Sequence, residues 1–221
     1  MLQATRSSGV SARHLAQAPH RLMFFIGAAN VLMAMLWWTV WLASMRWPHV
    51  RVPPPPSVPA GWLHAFLMQY LVLPSFVFGF LLTVFPRWMG LPALSRWHYL
   101  PIGVGLMGGQ LAVLLGACGL DVGIVAGIAM ALAGWTAGLY FLGRLLLQEP
   151  GATWHARSCF LALLLGWIGL AAFLAFVLGA SARSADRRRI TIMKIHKSIA
   201  LISTKKPSKW SRIRRGDSRA P

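Results

Sequence analysis

The chain of 221 residues is 57% hydrophobic and 12% charged, and it carries 22 Lys and Arg against 4 Asp and Glu. A soluble domain has roughly 25% charged residues, so this composition indicates a membrane protein. Hydrolases that depend on paired carboxylates are excluded because so few carboxylates are present. The composition therefore predicts an all-α fold, a polytopic helical membrane protein.

The polar N-terminal segment, residues 1–21, precedes an uncharged apolar run at residues 22–45. A helix over this run would be about 36 Å long at 1.5 Å per residue, enough to cross a hydrocarbon core of roughly 30 Å. The run is too long for the apolar core of a signal peptide, so we expect it to remain as the first span. Trp37, Trp38 and Trp41 crowd its end, as expected at the headgroup level.

Residues 62–86 form the second predicted span, after a loop whose prolines at residues 53–56 predict a stiff extended spacer. Pro74 lies at the middle of this span and has no amide hydrogen. The helix should therefore kink, and the carbonyl of Tyr70 one turn earlier should lose its partner. Inside a membrane that carbonyl must find another donor.

Three further spans are predicted at residues 99–119, 122–148 and 159–180. The third and fourth are joined by a short turn and carry small residues mostly four positions apart, which places them on one helix face. Small faces of this kind let two helix backbones approach closely in lipid, so we expect a tight antiparallel hairpin. The small residues are Gly105, Gly109, Ala112 and Gly116, then Gly123, Gly127, Ala131, Gly134 and Gly138.

The last segment, residues 181–221, is strongly basic and is expected to be a disordered tail. The basic residues of the short loops gather on one side of the predicted topology, which places the N-terminus in the cytoplasm. Five spans then put the basic tail outside, against the same rule. Three explanations stay open: one run does not span, the tail is a basic arm for anionic lipid or nucleic acid, or a frameshift or truncated gene produced it. The gathered residues are Arg6, Arg13, Arg21, Arg87, Arg96, Arg144 and Arg157, against Arg46 and Arg51 opposite.

His64 is the main ionisable side chain in a predicted span, and such residues mark candidate sites in membranes. On a helix, His64 and Met68 lie at i and i+4, so an imidazole and a thioether share one face. Both groups can ligate haem iron or copper. His64 and Met68 are therefore the candidate cofactor-binding residues, and His64 is the candidate metal ligand. In the alternative interpretation, His64 bonds to a carbonyl or to water at the interface and Met68 is packing.

The same stretch carries a family resemblance. His-Ala-x-x-Met at residues 64–68 and Gly-Phe-Leu-Leu-Thr-x-x-Pro-x-Trp-x-Gly at residues 79–90 resemble the NnrS family of bacterial inner-membrane proteins. In that family His-Ala-His-Glu-Met opens the span that closes with the second block. The resemblance covers approximately residues 20–180 and implies a multi-pass inner-membrane protein that uses haem or copper in the response to nitric oxide or nitrosative stress. Phe66 and Leu67 depart from the motif, where it has its second histidine and its glutamate.

Members of that family are about twice as long, so the resemblance also implies a truncated member that matches the N-terminal part. The alternative function is a metal-free membrane scaffold or transporter subunit. The expected partners are the lipid bilayer and a second copy or another membrane protein held through the small-residue helix faces. Nucleic acid is not an expected partner. An enzyme is not expected either, because no serine or cysteine nucleophile lies near a visible base.

Overall fold

The computed structural model describes residues 15, 17–51, 58–149, 151 and 153–204, and the regular structure of these residues is entirely helical. The predicted all-α class is confirmed. The proline-rich run at residues 53–56, most of residues 1–18 and the end of the tail, residues 205–221, lie outside the described residues. The helices are α1 (Pro19–Arg46), α2 (Ala60–Leu67), a π-helical segment (Met68–Val72), α3 (Leu73–Trp88), α4 (Arg96–Ala117), α5 (Asp121–Gln148) and α6 (Trp154–Thr204).

Five stretches of the described chain are long and apolar enough to cross a membrane, and each overlaps one predicted span. The second of them, Ala60–Trp88, joins α2, the π-helical segment and α3 into one span. Many large apolar side chains remain exposed on these helices, for example Leu32 at 71%. In a polytopic membrane protein such side chains face lipid, so the predicted contact with the bilayer is supported by the surface itself.

α3 packs against α1 at Gly79, the first residue of the second block of the family resemblance. A Cβ atom on Gly79 would lie 2.9 Å from Cβ of Met23 and 2.8 Å from the Phe24 ring, so only glycine allows this approach. α3 ends at Trp88, and Gly90 two residues later has a φ of 65°, the left-handed conformation that glycine adopts without strain. The N–H of Leu91 donates to the Pro86 carbonyl at 2.8 Å, closing the Schellman motif that ends the helix.

The predicted antiparallel hairpin of α4 and α5 is confirmed, and its small residues are its interface. A Cβ atom on Gly105 would lie 2.5 Å from Cα of Gly134, and one on Gly127 would lie 2.6 Å from the carbonyl oxygen of Gly109. The backbones are therefore in direct contact, as small residues permit in lipid. Gly138 differs from the others because it faces the ring of Phe78 on α3. These glycines build the fold of this chain, and association with a second copy stays a prediction.

α6 packs on the bundle through aromatic side chains. Its Trp167 donates from Nε1 to the Thr136 hydroxyl of α5 at 2.9 Å, and Gly166 lies against the ring of Trp135. The chain divides into two compact units, one ending at Leu178 and the other beginning at Gly179.

The basic segment differs from the disordered tail expected from residue 181, because α6 continues to Thr204. The physical reason is its composition. Residues 181–204 contain neither glycine nor proline, and the next proline is Pro207. A stretch of Ala, Arg, Lys, Ile and Leu without a helix breaker can continue a helix that has already been nucleated by a span.

Candidate functional site

His64 lies in α2 and faces the end of α1. Its imidazole stacks on the ring of Trp38, with centroids 4.6 Å apart and planes 12° apart. Trp37 and Trp41 continue the aromatic cluster, with their ring centroids 6.3 Å apart. Trp38, which the sequence places at the headgroup level, therefore also holds the plane of the candidate ligand.

One nitrogen of this imidazole is unusual for a buried polar atom. Nδ1 of His64 is buried and has no hydrogen-bond partner within the described residues. A polar group left in this state costs free energy, and in folded proteins it calls for an explanation such as a ligand. No backbone carbonyl of the described residues bonds to Nδ1, and the alternative in which His64 bonds to a carbonyl or to water at the interface stays a prediction.

Met68 is the first residue of the π-helical segment and packs half-buried against the core. Its backbone N–H donates to the carbonyls of His64 and Ala65, so the two candidate ligands lie one turn apart at the junction of α2 and the π-helical segment. Across the part of the chain that the structure describes, no three His, Cys, Asp or Glu side chains come together as a metal-binding group. Within that part of the chain, the candidate site therefore consists of His64 and Met68, with no larger group of acidic side chains, histidines or cysteines around them.

The two positions that depart from the family motif are core positions here. Phe66 is 2% exposed and stacks on Phe173 of α6, with centroids 5.0 Å apart and planes 16° apart. Leu67 is fully buried. Residues 64 and 66 point to opposite sides of a helix, so His64 faces α1 while Phe66 faces α6. A histidine and a glutamate at 66 and 67 would need partners that these apolar surroundings do not offer.

At the place where a kink was predicted, just before Pro74, the structure has a π-helical turn over Met68–Val72, which is called the kink below. The N–H of Leu73 bonds to the carbonyl of Met68, five residues earlier, which is the π-helical pattern. The carbonyl of Tyr70, deprived of a partner by Pro74, accepts a hydrogen bond of 3.1 Å from Nε1 of Trp135 on α5. The prediction that this carbonyl finds another donor inside the membrane is confirmed.

A second carbonyl of the kink is held by buried polar side chains. The Leu71 carbonyl accepts from Oγ of Ser75 at 2.7 Å and from Nδ2 of Asn30 on α1 at 3.3 Å. Gln110 of α4 donates from Nε2 to the backbone carbonyl of Asn30 at 3.2 Å. Ser75, Asn30 and Gln110 are all fully buried. Hydrogen bonds therefore join α1 to the kink, and α4 to α1, in the interior of the bundle.

These polar side chains are functional candidates that the sequence prediction missed. Asn30 is the single asparagine of the chain and stands in an otherwise apolar run, which is the signal that could have identified it. Because the amide nitrogens of Asn30 and Gln110 both face carbonyls, their oxygens are turned away. Neither Oδ1 of Asn30 nor Oε1 of Gln110 has a partner in the described part of the chain.

The helices and this site define a multi-pass helical membrane protein, built around a kinked second span that carries a histidine and a methionine one turn apart. A family model described as NnrS protein matches residues 14–204. The chain therefore belongs to the NnrS family, and the resemblance found in residues 64–90 is confirmed. The match includes both blocks of the second span. No curated protein and no solved structure matches the chain.

Proposed function

We propose that this chain is an inner-membrane protein of the bacterial response to nitric oxide and nitrosative stress, and that it binds haem or copper through His64, with Met68 as a second ligand. The family membership supports the role. The observation that carries the site is the buried Nδ1 of His64, which has no hydrogen-bond partner within the described residues.

His64 and Met68 carry donor atoms of the types that haem iron and copper bind. Imidazole nitrogen and thioether sulfur are established ligands of both haem iron and copper. His64 and Met68 supply one of each, one turn apart. Phe66 and Leu67 supply no ligand atom, so a centre in this chain has fewer protein ligands than the family motif would provide.

Bound haem or copper would supply a metal ion that can bind nitric oxide, or that can itself be oxidised and reduced. The chain's own residues position that group. Trp38 fixes the imidazole plane by stacking, and the hydrogen bonds of Asn30 and Trp135 hold the kink that follows Met68. We assign no catalytic residue and do not propose an enzyme. The positive-inside rule favours a cytoplasmic N-terminus, which places His64 toward the outer face of the membrane.

Growth under nitric oxide tests this function. In a bacterial strain lacking the gene, the wild-type chain should shorten the lag that a nitric oxide donor causes, and His64→Ala should protect no better than the empty vector. The matched control is His155→Ala, since His155 is an exposed histidine at the start of α6. Membrane levels of the three proteins are compared by immunoblot. A wild-type chain that gives no protection would contradict the proposal.

A metal-free scaffold or transporter subunit is the second candidate, and one observation favours it. Phe66 and Leu67 are well-packed core residues where the family motif has polar ones. If the chain is such a scaffold or subunit, His64 only stacks on Trp38 at the membrane interface. His64→Ala should then protect cells as well as the wild-type chain does. The growth experiment therefore separates the two functions.

A further inference from the structure

A cavity of 220 Å³ lies at the basic end of the bundle, the end at which α1 and α4 begin and α3 and α5 end. Its walls come from the start of α4, the last two turns of α5 and the loop between α3 and α4. A water molecule occupies about 30 Å³, so the cavity has room for the five heavy atoms of a phosphate group. The lining residues are Leu91, Pro92, Ala93, Leu94, His98, Phe141, Arg144, Leu145 and Gln148.

Arg144 brings a positive charge to this cavity, and no carboxylate of the described residues pairs with it. Within the described residues its contacts are with Tyr140, whose hydroxyl lies 3.5 Å from Nη1 and whose ring centroid lies 5.8 Å from Cζ. Glu149 follows α5 but does not line the cavity. A guanidinium presents five N–H donors in a planar fork that matches the oxygens of a phosphate. Most of these donors are free to face a ligand.

His98 is held in place at the start of α4, where it lines the same cavity. Its Nδ1 lies 2.8 Å from Oγ of Ser95, and its ring packs edge-on against Phe141 with centroids 4.9 Å apart. These contacts fix the orientation of the imidazole and use one of its two nitrogens. Gln148 adds an amide from α5, the helix that also carries Arg144. The cavity therefore combines one cation with two further polar groups, and leucines are among its other lining residues.

The position of the cavity indicates the source of the phosphate. Exposed aromatic side chains, Trp88, Trp97 and Tyr140, mark the headgroup level at this end. Basic pockets between spans on the cytoplasmic side are typical binding places of anionic lipid headgroups. We infer that this cavity binds the phosphate of an anionic phospholipid, held by Arg144 with His98 and Gln148. This site is separate from His64 and does not depend on the function proposed above.

Lipid-dependent thermal unfolding of the purified full chain in a neutral detergent tests the site. Added dioleoyl phosphatidylglycerol should raise the unfolding midpoint, and dioleoyl phosphatidylcholine should not. For Arg144→Gln the phosphatidylglycerol concentration that gives the half-maximal shift should increase at least tenfold. Arg21→Gln is the matched control, because Arg21 lies at the same end of the bundle and does not line the cavity. It should respond as the wild-type chain does.

Two outcomes would overturn the inference. If Arg21→Gln and Arg144→Gln lose the response equally, the lipid acts through the overall positive charge and not through this cavity. If millimolar inorganic phosphate in detergent reproduces the shift, the site binds a free anion. If Arg144→Gln fails to fold, Arg144→Lys is used in its place, because lysine keeps the charge but lacks the planar fork of the guanidinium. Native mass spectrometry should detect less retained phosphatidylglycerol for Arg144→Lys than for the wild-type chain, and equal retention would overturn the inference.

Discussion

Replacing Gly127 with Leu is expected to force α4 and α5 apart and to lower the free energy of unfolding by about 3 kcal/mol, the upper part of the range for overpacked sites. A Cβ atom at this position would lie 2.5 Å from Cγ2 of Val113 and 2.6 Å from the Gly109 carbonyl oxygen. The carbonyl is backbone and cannot rotate away. The better helix propensity of leucine recovers only about 0.8 kcal/mol. Unfolding in mixed detergent micelles, followed by circular dichroism, measures the loss.

Gly61→Leu is the control for that substitution. Gly61 lies in α2, and a Cβ atom there would meet nothing within 4 Å. Its replacement should leave stability unchanged or raise it slightly, because glycine is a poor helix former. Equal unfolding curves for Gly127→Leu and the wild-type chain would show that the backbones of α4 and α5 are not in contact.

Replacing Trp135 with Phe is expected to leave the Tyr70 carbonyl without a donor and to destabilise the kinked span. A buried unsatisfied acceptor costs about 1 to 3 kcal/mol. Interhelical hydrogen bonds in a membrane average about 0.6 kcal/mol, because the separated helices also find partners. Lost indole packing against Gly166 adds to the cost, so we expect about 1 to 2 kcal/mol in total. The same unfolding assay measures it.

The hydrogen bond itself is isolated by combining this change with Pro74→Ala. Alanine at position 74 restores an N–H that can bond to the Tyr70 carbonyl, so Trp135→Phe should cost less in that background than in the wild-type chain. Trp167→Phe is the control, since its indole bonds to Thr136, away from the kink. It should cost the same in both backgrounds. Equal costs of Trp135→Phe in the two backgrounds would contradict the assigned role of Trp135.

Features that depend on local sequence could be predicted. The spans follow from uncharged runs of sufficient length, and the hairpin follows from glycines spaced by about one helical turn. The kink follows from Pro74 alone, because a missing amide hydrogen is a local property. The need for another donor at Tyr70 follows from the same argument, since lipid supplies none.

The identity of that donor could not be predicted. Trp135 is 65 residues from Tyr70 in sequence, and the two meet only because α5 packs beside the second span. The same holds for Asn30, which reaches the Leu71 carbonyl from α1. The π-helical geometry was also not predicted, because proline predicts a kink without deciding which hydrogen-bond pattern relieves it.

The candidate site was predicted only in part. His64 was identified by its chemistry, but its stacking on Trp38 and its unpartnered Nδ1 depend on how α1 and α2 pack. The sequence shows that Phe66 replaces a motif histidine, yet it does not show that position 66 turns away from His64 toward Phe173. The helical continuation over residues 181–204 was not predicted, because basic composition suggests disorder whereas continuation from an existing span favours helix. The disorder predicted for residues 205–221 stays a prediction.

Metal content of the purified chain tests the central functional claim most directly. The chain is purified from bacterial membranes as wild type, His64→Ala and His155→Ala, with haem measured by its Soret absorption and copper by elemental analysis. We predict haem or copper in the wild type and in His155→Ala, and occupancy lower by roughly tenfold or more in His64→Ala, the scale on which metal sites respond to altered ligation. A wild-type chain with neither haem nor copper, or a His64→Ala variant with unchanged metal content, would contradict the account.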